Sequence, residues 1–379
     1  MNITCNPPKP GDAPTFMDGG RRFSPPSPAF RTDYSFALAN ATNDIDTHWP
    51  LVDAPHDFIA ELGNFTENSE DMHHGYLPRN ASWYRKHFFL PTEWQTDGGA
   101  TFVHFEGVFH HSTIFLNGHY LMSHECGYTG FDVRLDNATG IRYGTNAENV
   151  LAIRADASFG SGHWYEGGGI YRPVQLEHVA PTHITRHGLF VPPESDGRSV
   201  SASAELETIK PHGESAVTVR FSLFELVNIT PASVPLATAT STPINLPRPG
   251  ITTARAHLTP PAGAIRLWTT NNPYQYTVLA EVVVRDEVVD SVRVRVGFRT
   301  TTLSGLDGTA PFTLNGESLH FRGFSHHNSI GGLGVAIPER VQLFRVQVGS
   351  RGVKEHLVIA HDTGGQFGDC CWFRLVSMR

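Results

Sequence analysis

The stretch Thr101–Asp132, TFVHFEGVFHHSTIFLNGHYLMSHECGYTGFD, decides the fold. Residues 102–106 alternate between two faces, and this period of two predicts a strand. Further along, Asn117-Gly118 lies between two apolar runs, which is the strongest short signal for a β-hairpin because both turn residues need a positive φ. Phe131 then begins another half-buried run. These features together predict an antiparallel β-sandwich.

Three motifs in this stretch carry a family resemblance; they are Glu106-Gly107-Val108, Leu116-Asn117-Gly118 and Gly127-Tyr128-Thr129-Gly130-Phe131. In this order and spacing they resemble the sugar-binding domain of glycoside hydrolase family 2, which includes β-galactosidases, β-glucuronidases and β-mannosidases. The segments WYRKHF at 83–88 and GIYRPV at 169–174 extend the resemblance, which covers about residues 49–347. It implies a jelly-roll sugar-binding domain, an immunoglobulin-like sandwich and the start of a catalytic (β/α)8 barrel.

Composition agrees with an all-β chain and excludes several classes of protein. Charged residues make up only 17% of the chain, whereas there are 36 Gly and 26 Pro, a balance typical of turn-rich β structure. The net charge of −8 and the lack of a basic run argue against nucleic acid and anionic membranes as partners. No apolar run reaches the roughly 18 residues of a membrane helix. The four Cys residues do not form a disulfide framework.

The predicted fold class is all-β, with a short stub of a (β/α)8 barrel. The expected units are 1–29 as an irregular, Pro-rich lead-in, 30–180 as the jelly-roll domain, 181–305 as the immunoglobulin-like sandwich, 306–348 as the start of the barrel and 349–379 as an atypical tail. No signal peptide is visible, but N-x-S/T acceptors weakly favour a secreted or lumenal protein; they lie at Asn2, Asn40, Asn64, Asn80, Asn137 and Asn228.

Two later segments give further predictions of local structure. Residues 216–227 alternate, and this places Val217, Val219, Phe221 and Leu223 on one face of a strand. Pro338 is expected at the first position of a helix that carries Val341, Phe344 and Val348 on one face. After Gln347 the sequence follows no pattern of the family. A frameshifted, mis-spliced or truncated reading frame would explain this tail, and a short natural tail that caps the sandwich is the alternative.

The chemistry of the family needs residues that this chain does not supply. A retaining glycosidase uses two carboxylates about 5–5.5 Å apart, and in this family both are glutamates at the ends of later barrel strands. Residues 311–379 are too few for a barrel, which needs about 200 residues. The acidic residues there are Glu317, Glu339, Glu355, Asp362 and Asp369, and none lies in a family catalytic motif. We therefore predict no catalytic residue in this chain.

The resemblance does imply residues that bind the substrate. His327, followed by Asn328, corresponds to a sugar-contacting histidine of the family. Trp164 and Glu166 belong to the Gly-rich loop (residues 160–169), where an aromatic side chain could stack on a sugar. A packed core Trp and a half-exposed loop His remain the structural alternatives. In β-galactosidases an acidic residue just before the Trp helps to hold a cation, whereas Ser161-Gly162-His163 precede it here, so no metal site and no cofactor are expected.

The resemblance thus implies an O-glycosyl hydrolase that acts on β-galactoside or β-glucuronide sugars, with this chain inactive by itself. A carbohydrate is the expected partner, and a homo-oligomer is left open for a full-length protein. The rival hypothesis is a non-catalytic carbohydrate-binding or scaffold protein.

Overall fold

Strands dominate the structure, a computed structural model of the chain. It describes residues 15–16, 21–24, 49–62, 74, 76–77, 79–158, 160, 164–211, 216–227, 230–303, 312–319, 322–351 and 358–362. The described residues contain three helical segments: α1 spans Phe58–Leu62, a 3-10 helix spans Thr92–Gln95 and α2 spans Glu339–Arg351. The predicted all-β class is confirmed. No helix of the described segments is long and apolar enough to cross a membrane.

The N-terminal unit is a sandwich of two antiparallel sheets. Its described strands are Thr15–Phe16 (β1), Arg21–Ser24 (β2), Leu51–Val52 (β3), Ala81–Phe88 (β4), Ala100–Phe105 (β5), His111–Leu116 (β6), His119–His124 (β7), Phe131–Arg134 (β8), Asn149–Asp156 (β9) and Val174–Val179 (β10). One sheet has the order β1-β10-β5-β8, and the other has the order β3-β2-β4-β9-β6-β7. The predicted hairpin joins β6 to β7, and its turn residues Asn117 and Gly118 have φ angles of 50° and 86°.

The alternation of side chains along these strands builds one core between the two sheets. Val103 and Phe105 of β5 and Ile114 of β6 are buried in it, as is Tyr84 of β4. Trp83, the neighbour of Tyr84, is buried on the opposite side of its sheet. Each fully buried apolar side chain of this size stabilises the fold by about 1.5–3 kcal/mol, so the core fixes which face of each strand points inward.

The second unit is also a two-sheet sandwich. Its described strands are Thr182–Phe190 (β11), Val200–Thr208 (β12), Ala216–Val227 (β13), Thr230–Pro231 (β14), Ala237–Thr240 (β15), Ile244–Asn245 (β16), Gly250–Leu258 (β17), Tyr276–Val284 (β18) and Glu287–Val296 (β19). One sheet has the order β11-β12-β17, and the other has the order β14-β13-β18-β19, with β15 and β16 also paired to β13. The predicted inward face of β13 is confirmed: Val217, Val219, Phe221 and Leu223 are fully buried.

Two small sheets follow in the chain. The described strands are Thr301–Leu303 (β20), Phe312–Leu314 (β21) and Glu317–Ser318 (β22) in one sheet, and Arg322–His326 (β23) and Val358–Asp362 (β24) in the other. β23 and β24 pair in parallel, and α2 lies in the connection between them. α2 begins one residue after Pro338, whose carbonyl oxygen accepts a hydrogen bond from Val341 N at 2.9 Å. Phe344 and Val348 of α2 are exposed.

One expectation about the chain ends is wrong. The lead-in is not wholly irregular, because β1 pairs with β10 and β2 lies between β3 and β4. Residues 15–24 contain no Pro, so these short segments can pair with sheet edges. In the tail, α2 continues to Arg351 and β24 pairs with β23. The run Val358-Ile359-Ala360 is apolar and partly β-branched, which favours a strand once a partner is present.

The outer face of the β10-β5-β8 sheet holds a buried histidine between two acids. His104 Nδ1 lies 2.5 Å from Asp132 Oδ1, and His104 Nε2 lies 2.5 Å from Glu177 Oε2. β11 approaches this face, where Arg186 donates to Gln175 at 3.3 Å. Burial lowers the pKa of His104, but the hydrogen bonds to the two carboxylates outweigh it and raise the pKa above its usual value. The His104 ring therefore has a carboxylate acceptor for each of its two nitrogens, an arrangement that favours the protonated imidazole.

Replacing His104 with glutamine should destabilise the chain by about 1–2 kcal/mol near pH 6, less than for a fully buried charged pair because Asp132 is partly exposed. The folded pKa of His104 is raised, so its contribution is complete below the unfolded pKa of about 6.5 and is lost as the pH rises through the folded pKa. The difference in unfolding free energy between the two proteins should therefore shrink as the pH rises above about 6.5 and through the folded pKa of His104. Urea unfolding measures this difference, and His119→Gln at an exposed position is the control. A constant or growing difference would contradict the assignment.

Candidate functional site

The Gly-rich loop is held between two other segments of the first sandwich. Phe109 and Gly169 exchange two backbone hydrogen bonds of 2.9 Å, and His56 N donates to Ile170 O at 2.7 Å. Gly169 has a φ of 110°, and a side chain there would overlap the hydroxyl of Tyr84. Only glycine allows the backbone to pass this close, so the glycines of the loop serve close packing.

Asp57 joins three segments that are distant in the sequence. Its Oδ1 accepts hydrogen bonds from Ile59 N and Gly168 N, both at 3.1 Å. Its Oδ2 accepts hydrogen bonds from Tyr165 OH and Val335 N, both at 2.9 Å. The first sandwich, the Gly-rich loop and the segment between β23 and α2 therefore meet at one carboxylate. We call this arrangement, formed by Asp57, Tyr165, Gly168 and Val335, the Asp57 junction.

The Asp57 junction is buried, and this affects its ionisable groups. Asp57 is only 3% exposed. Burial raises its pKa, and the hydrogen bonds from Val335, Tyr165 and the other donors offset only part of that rise. Burial and the Asp57 carboxylate both raise the pKa of the Tyr165 phenol. Tyr165 therefore remains a protonated donor at neutral pH, which suits a carboxylate acceptor.

The two residues that flank Tyr165 in the sequence, Trp164 and Glu166, belong to a second polar cluster. Trp164 Nε1 donates to Tyr128 OH at 3.1 Å, and Tyr128 OH donates to Glu166 Oε1 at 3.3 Å. Arg79 Nη1 lies 3.4 Å from Glu166 Oε2, and the Glu166 side chain is completely buried. Burial and the nearby Glu166 raise the pKa of Tyr128. The cluster therefore fixes the indole edge of Trp164 through a protonated phenol.

The family profile "Glycosyl hydrolases family 2" matches residues 182–299. The β-galactosidase BoGH2A of Bacteroides ovatus is 30% identical over 345 residues, which cover 88% of this chain and 37% of that protein. The chain belongs to glycoside hydrolase family 2. The family 2 chain is also similar to a β-glucuronidase of Formosa agariphila, with 26% identity over 353 residues that cover 83% of this chain and 34% of that protein.

A solved structure supports the same fold for this family 2 chain. The crystal structure of a β-glycosidase from Bacteroides vulgatus matches with a TM-score of 0.72 and 26% identity, covering 89% of this chain and 40% of that chain. The family 2 chain thus spans two fifths or less of the length of these relatives.

The structure brings together two of the four predicted binding residues of the family 2 chain. Trp164 and Glu166 are linked through Tyr128. His327 is exposed and Asn328 is half-buried, and both follow β23. In the described segments, no hydrogen bond or ring contact joins either of them to Trp164 or Glu166. The Gly-rich loop and the segment after β23 are instead connected through the Asp57 junction, where Gly168 and Val335 both donate to Asp57.

Residues of α2 hold the segment that carries His327 and Asn328. Arg345 Nη2 donates to Ser329 O at 2.7 Å, and its Nη1 donates to His327 O at 3.3 Å. Gln342 donates from Nε2 to the Asn328 side chain. The His327 ring thus lies on a loop whose backbone is fixed by α2, while the ring itself faces solvent.

Metal binding has no support in the described residues, where no group of three or more His, Cys, Asp or Glu side chains could hold an ion. The prediction about the cation site rested on Ser161-Gly162-His163, which lie outside the described residues. Sequence reasoning missed the roles of Asp57, Tyr128 and Tyr165. Tyr128 lies in the family-like motif at residues 127–131, but that motif does not indicate the contacts of its side chain.

Proposed function

We propose that this chain is the sugar-binding part of an enzyme that hydrolyses O-glycosyl bonds of β-galactoside or β-glucuronide sugars. The Asp57 junction carries the proposal, because it joins the aromatic Gly-rich loop to the segment that follows β23. In a (β/α)8 enzyme, catalytic groups lie in the loops at the carboxyl ends of the strands. The names of the β-galactosidase and β-glucuronidase relatives support the substrate class.

In this proposal, the first sandwich is a jelly roll, the second is immunoglobulin-like, and β23, α2 and β24 begin a (β/α)8 barrel. The parallel pairing of β23 and β24 around a helical connection supports this, since that is the repeating unit of such a barrel.

The binding residues have separate roles in the proposal. Trp164 offers a half-buried aromatic face for stacking on a sugar ring. His327 and Asn328 form hydrogen bonds with sugar hydroxyls from the loop after β23. Glu166 is buried beneath Tyr128, so it supports the aromatic wall through that phenol.

Cleavage needs two carboxylates about 5–5.5 Å apart, one as nucleophile and one as acid/base. Glu317 on β22 and Glu339 on α2 are carboxylates in the described part of the chain after Phe312. Both side chains are exposed. We therefore assign no catalytic role to either glutamate, and we expect the 379-residue chain alone to be inactive.

A chimera tests the proposal. Residues 1–347 joined to the barrel of the B. ovatus relative should release aglycone from an aryl β-galactoside or β-glucuronide, whereas the 379-residue chain should release none. Turnover by the purified chain, retained through chromatography that removes host glycosidases, would contradict the proposed incompleteness. A folded chimera that cleaves neither substrate would contradict the substrate class.

Trp164→Ala in the active chimera should raise KM about tenfold and leave kcat nearly unchanged, because stacking binds the substrate and the transition state alike. Steady-state kinetics measures both constants. Tyr120→Ala, which removes an exposed aromatic side chain on β7, is the control. An unchanged KM in the Trp164 variant would remove Trp164 from the sugar site.

A further inference from the structure

A cavity of about 590 Å³ lies at one end of the second sandwich, outside the site described above. One wall is the segment after β11 that contains Glu194 and Ser195, and the other is the end of β19 and the chain that leads into β20. Ligand pockets in proteins usually have volumes of about 300–1,000 Å³. The cavity is therefore large enough for a sugar residue.

The second wall presents two guanidinium groups. Arg295 on β19 and Arg299 just after it both line the cavity and are exposed. Arg299 lies over the buried Trp268 ring at 5.6 Å and donates to Gly297 O at 3.3 Å, so its position is fixed. In the described segments, neither arginine has a carboxylate partner. Two such cations in one cavity favour an anionic ligand.

Hydroxyl and carboxylate groups line the rest of the cavity. Thr301, Thr302 and Ser195 are exposed along its walls. Glu194 accepts a hydrogen bond from Ser201, and its carboxylate lies 3.9 Å from His257 Nδ1. These groups match the hydroxyls of a polyol, whereas a small inorganic anion would leave most of them without a ligand partner.

We propose that this cavity binds a uronic acid residue of an oligosaccharide, with its carboxylate on Arg295 and Arg299. The ring hydroxyls form hydrogen bonds with Thr301, Thr302 and Glu194. A neutral sugar would leave both guanidinium groups without a counter-charge. This site is independent of the proposed hydrolysis, because none of its lining residues belongs to the Gly-rich loop or to the segment after β23.

Calorimetric titration of the 379-residue chain with methyl β-glucuronide tests the site. Methyl β-glucoside has the same ring without the carboxylate and should bind at least about tenfold more weakly, because it lacks the charge-assisted hydrogen bonds. Acetate, sulfate and the glucuronide are compared at equal ionic strength. Absence of glucuronide binding, or equally strong binding of the glucoside, overturns the proposal. Displacement of the glucuronide by equimolar acetate or sulfate also overturns it, because the cavity would then hold any anion.

Variants locate the binding. Arg295→Ala should weaken glucuronide binding at least about tenfold. Arg299→Lys keeps the positive charge beside Trp268 but removes the planar guanidinium, which can donate two hydrogen bonds to one carboxylate. This variant should also weaken glucuronide binding. Arg293→Ala removes an exposed charge from the same strand outside the cavity and should leave the affinity within about twofold. Equal losses of glucuronide affinity for Arg293→Ala and Arg295→Ala would overturn the proposal, because binding would then depend only on the overall positive charge of the strand.

Discussion

Asp57→Ala should destabilise the folded chain by about 3 kcal/mol or more, because it removes the acceptor of several buried donors at once. Ile59 N and Gly168 N lose Oδ1, while Tyr165 OH and Val335 N lose Oδ2. At 3% exposure, water cannot replace these hydrogen bonds without rearrangement. Urea unfolding followed by tryptophan fluorescence measures the change.

Asp57→Asn provides an internal comparison. The amide oxygen can keep the bonds from Ile59 and Gly168, and the Tyr165 hydroxyl can rotate to accept from the new NH2 group. Val335 N–H then faces a donor, so the expected loss is smaller, about 1–2 kcal/mol. Glu287→Ala at an exposed position should change stability by less than about 0.5 kcal/mol. Equal stability of Asp57→Ala and the wild type would contradict the role of the Asp57 junction.

Gly334→Ala should destabilise the chain by about 3 kcal/mol through a clash with the same carboxylate. An ideal Cβ at Gly334 would overlap Asp57 Oδ2 and lie 2.7 Å from Asp57 Cγ and 2.9 Å from Ala60 Cβ. The φ of Gly334 is also 59°, in the left-handed region. The substitution should therefore push the Val335 segment away from Asp57.

Gly332→Ala is a matched control two residues earlier. Its φ is 82°, but a Cβ there would have no neighbour within 4 Å. Gly332→Ala should therefore destabilise the chain by about 1 kcal/mol, through backbone strain alone. The difference in unfolding free energy between the two variants reports the contact with Asp57. Equal losses would mean that this contact is not made in solution.

The strands could be predicted because their signals are local. The alternation in residues 216–227 identifies both β13 and its inward face, since side chains in a strand point to opposite sides in turn. Asn117-Gly118 predicts its hairpin because the turn itself requires positive φ. β1, β2 and β24 were not predicted because they are short, with two, four and five residues. Each needs a neighbouring strand already in place.

The candidate site was predicted only in part. The Gly-rich loop and Trp164 are evident as an unusual run of residues, and the sequence places them correctly in one loop. The sequence did not indicate that Glu166 would be buried under Tyr128 and paired with Arg79. His327 and Asn328 follow the predicted strand, but their loop is fixed by Arg345, whose distance along the chain hides the contact.

The sequence by itself therefore determined the all-β class, the main strands and the family, because alternation, turn chemistry and ordered motifs are properties of neighbouring residues. Only the tertiary structure decided that Asp57 joins three distant segments at one point. Its donors come from residues 59, 165, 168 and 335, and no pattern along the chain relates these positions. They meet because a buried carboxylate requires hydrogen-bond donors, and the packing of three segments supplies them at one point.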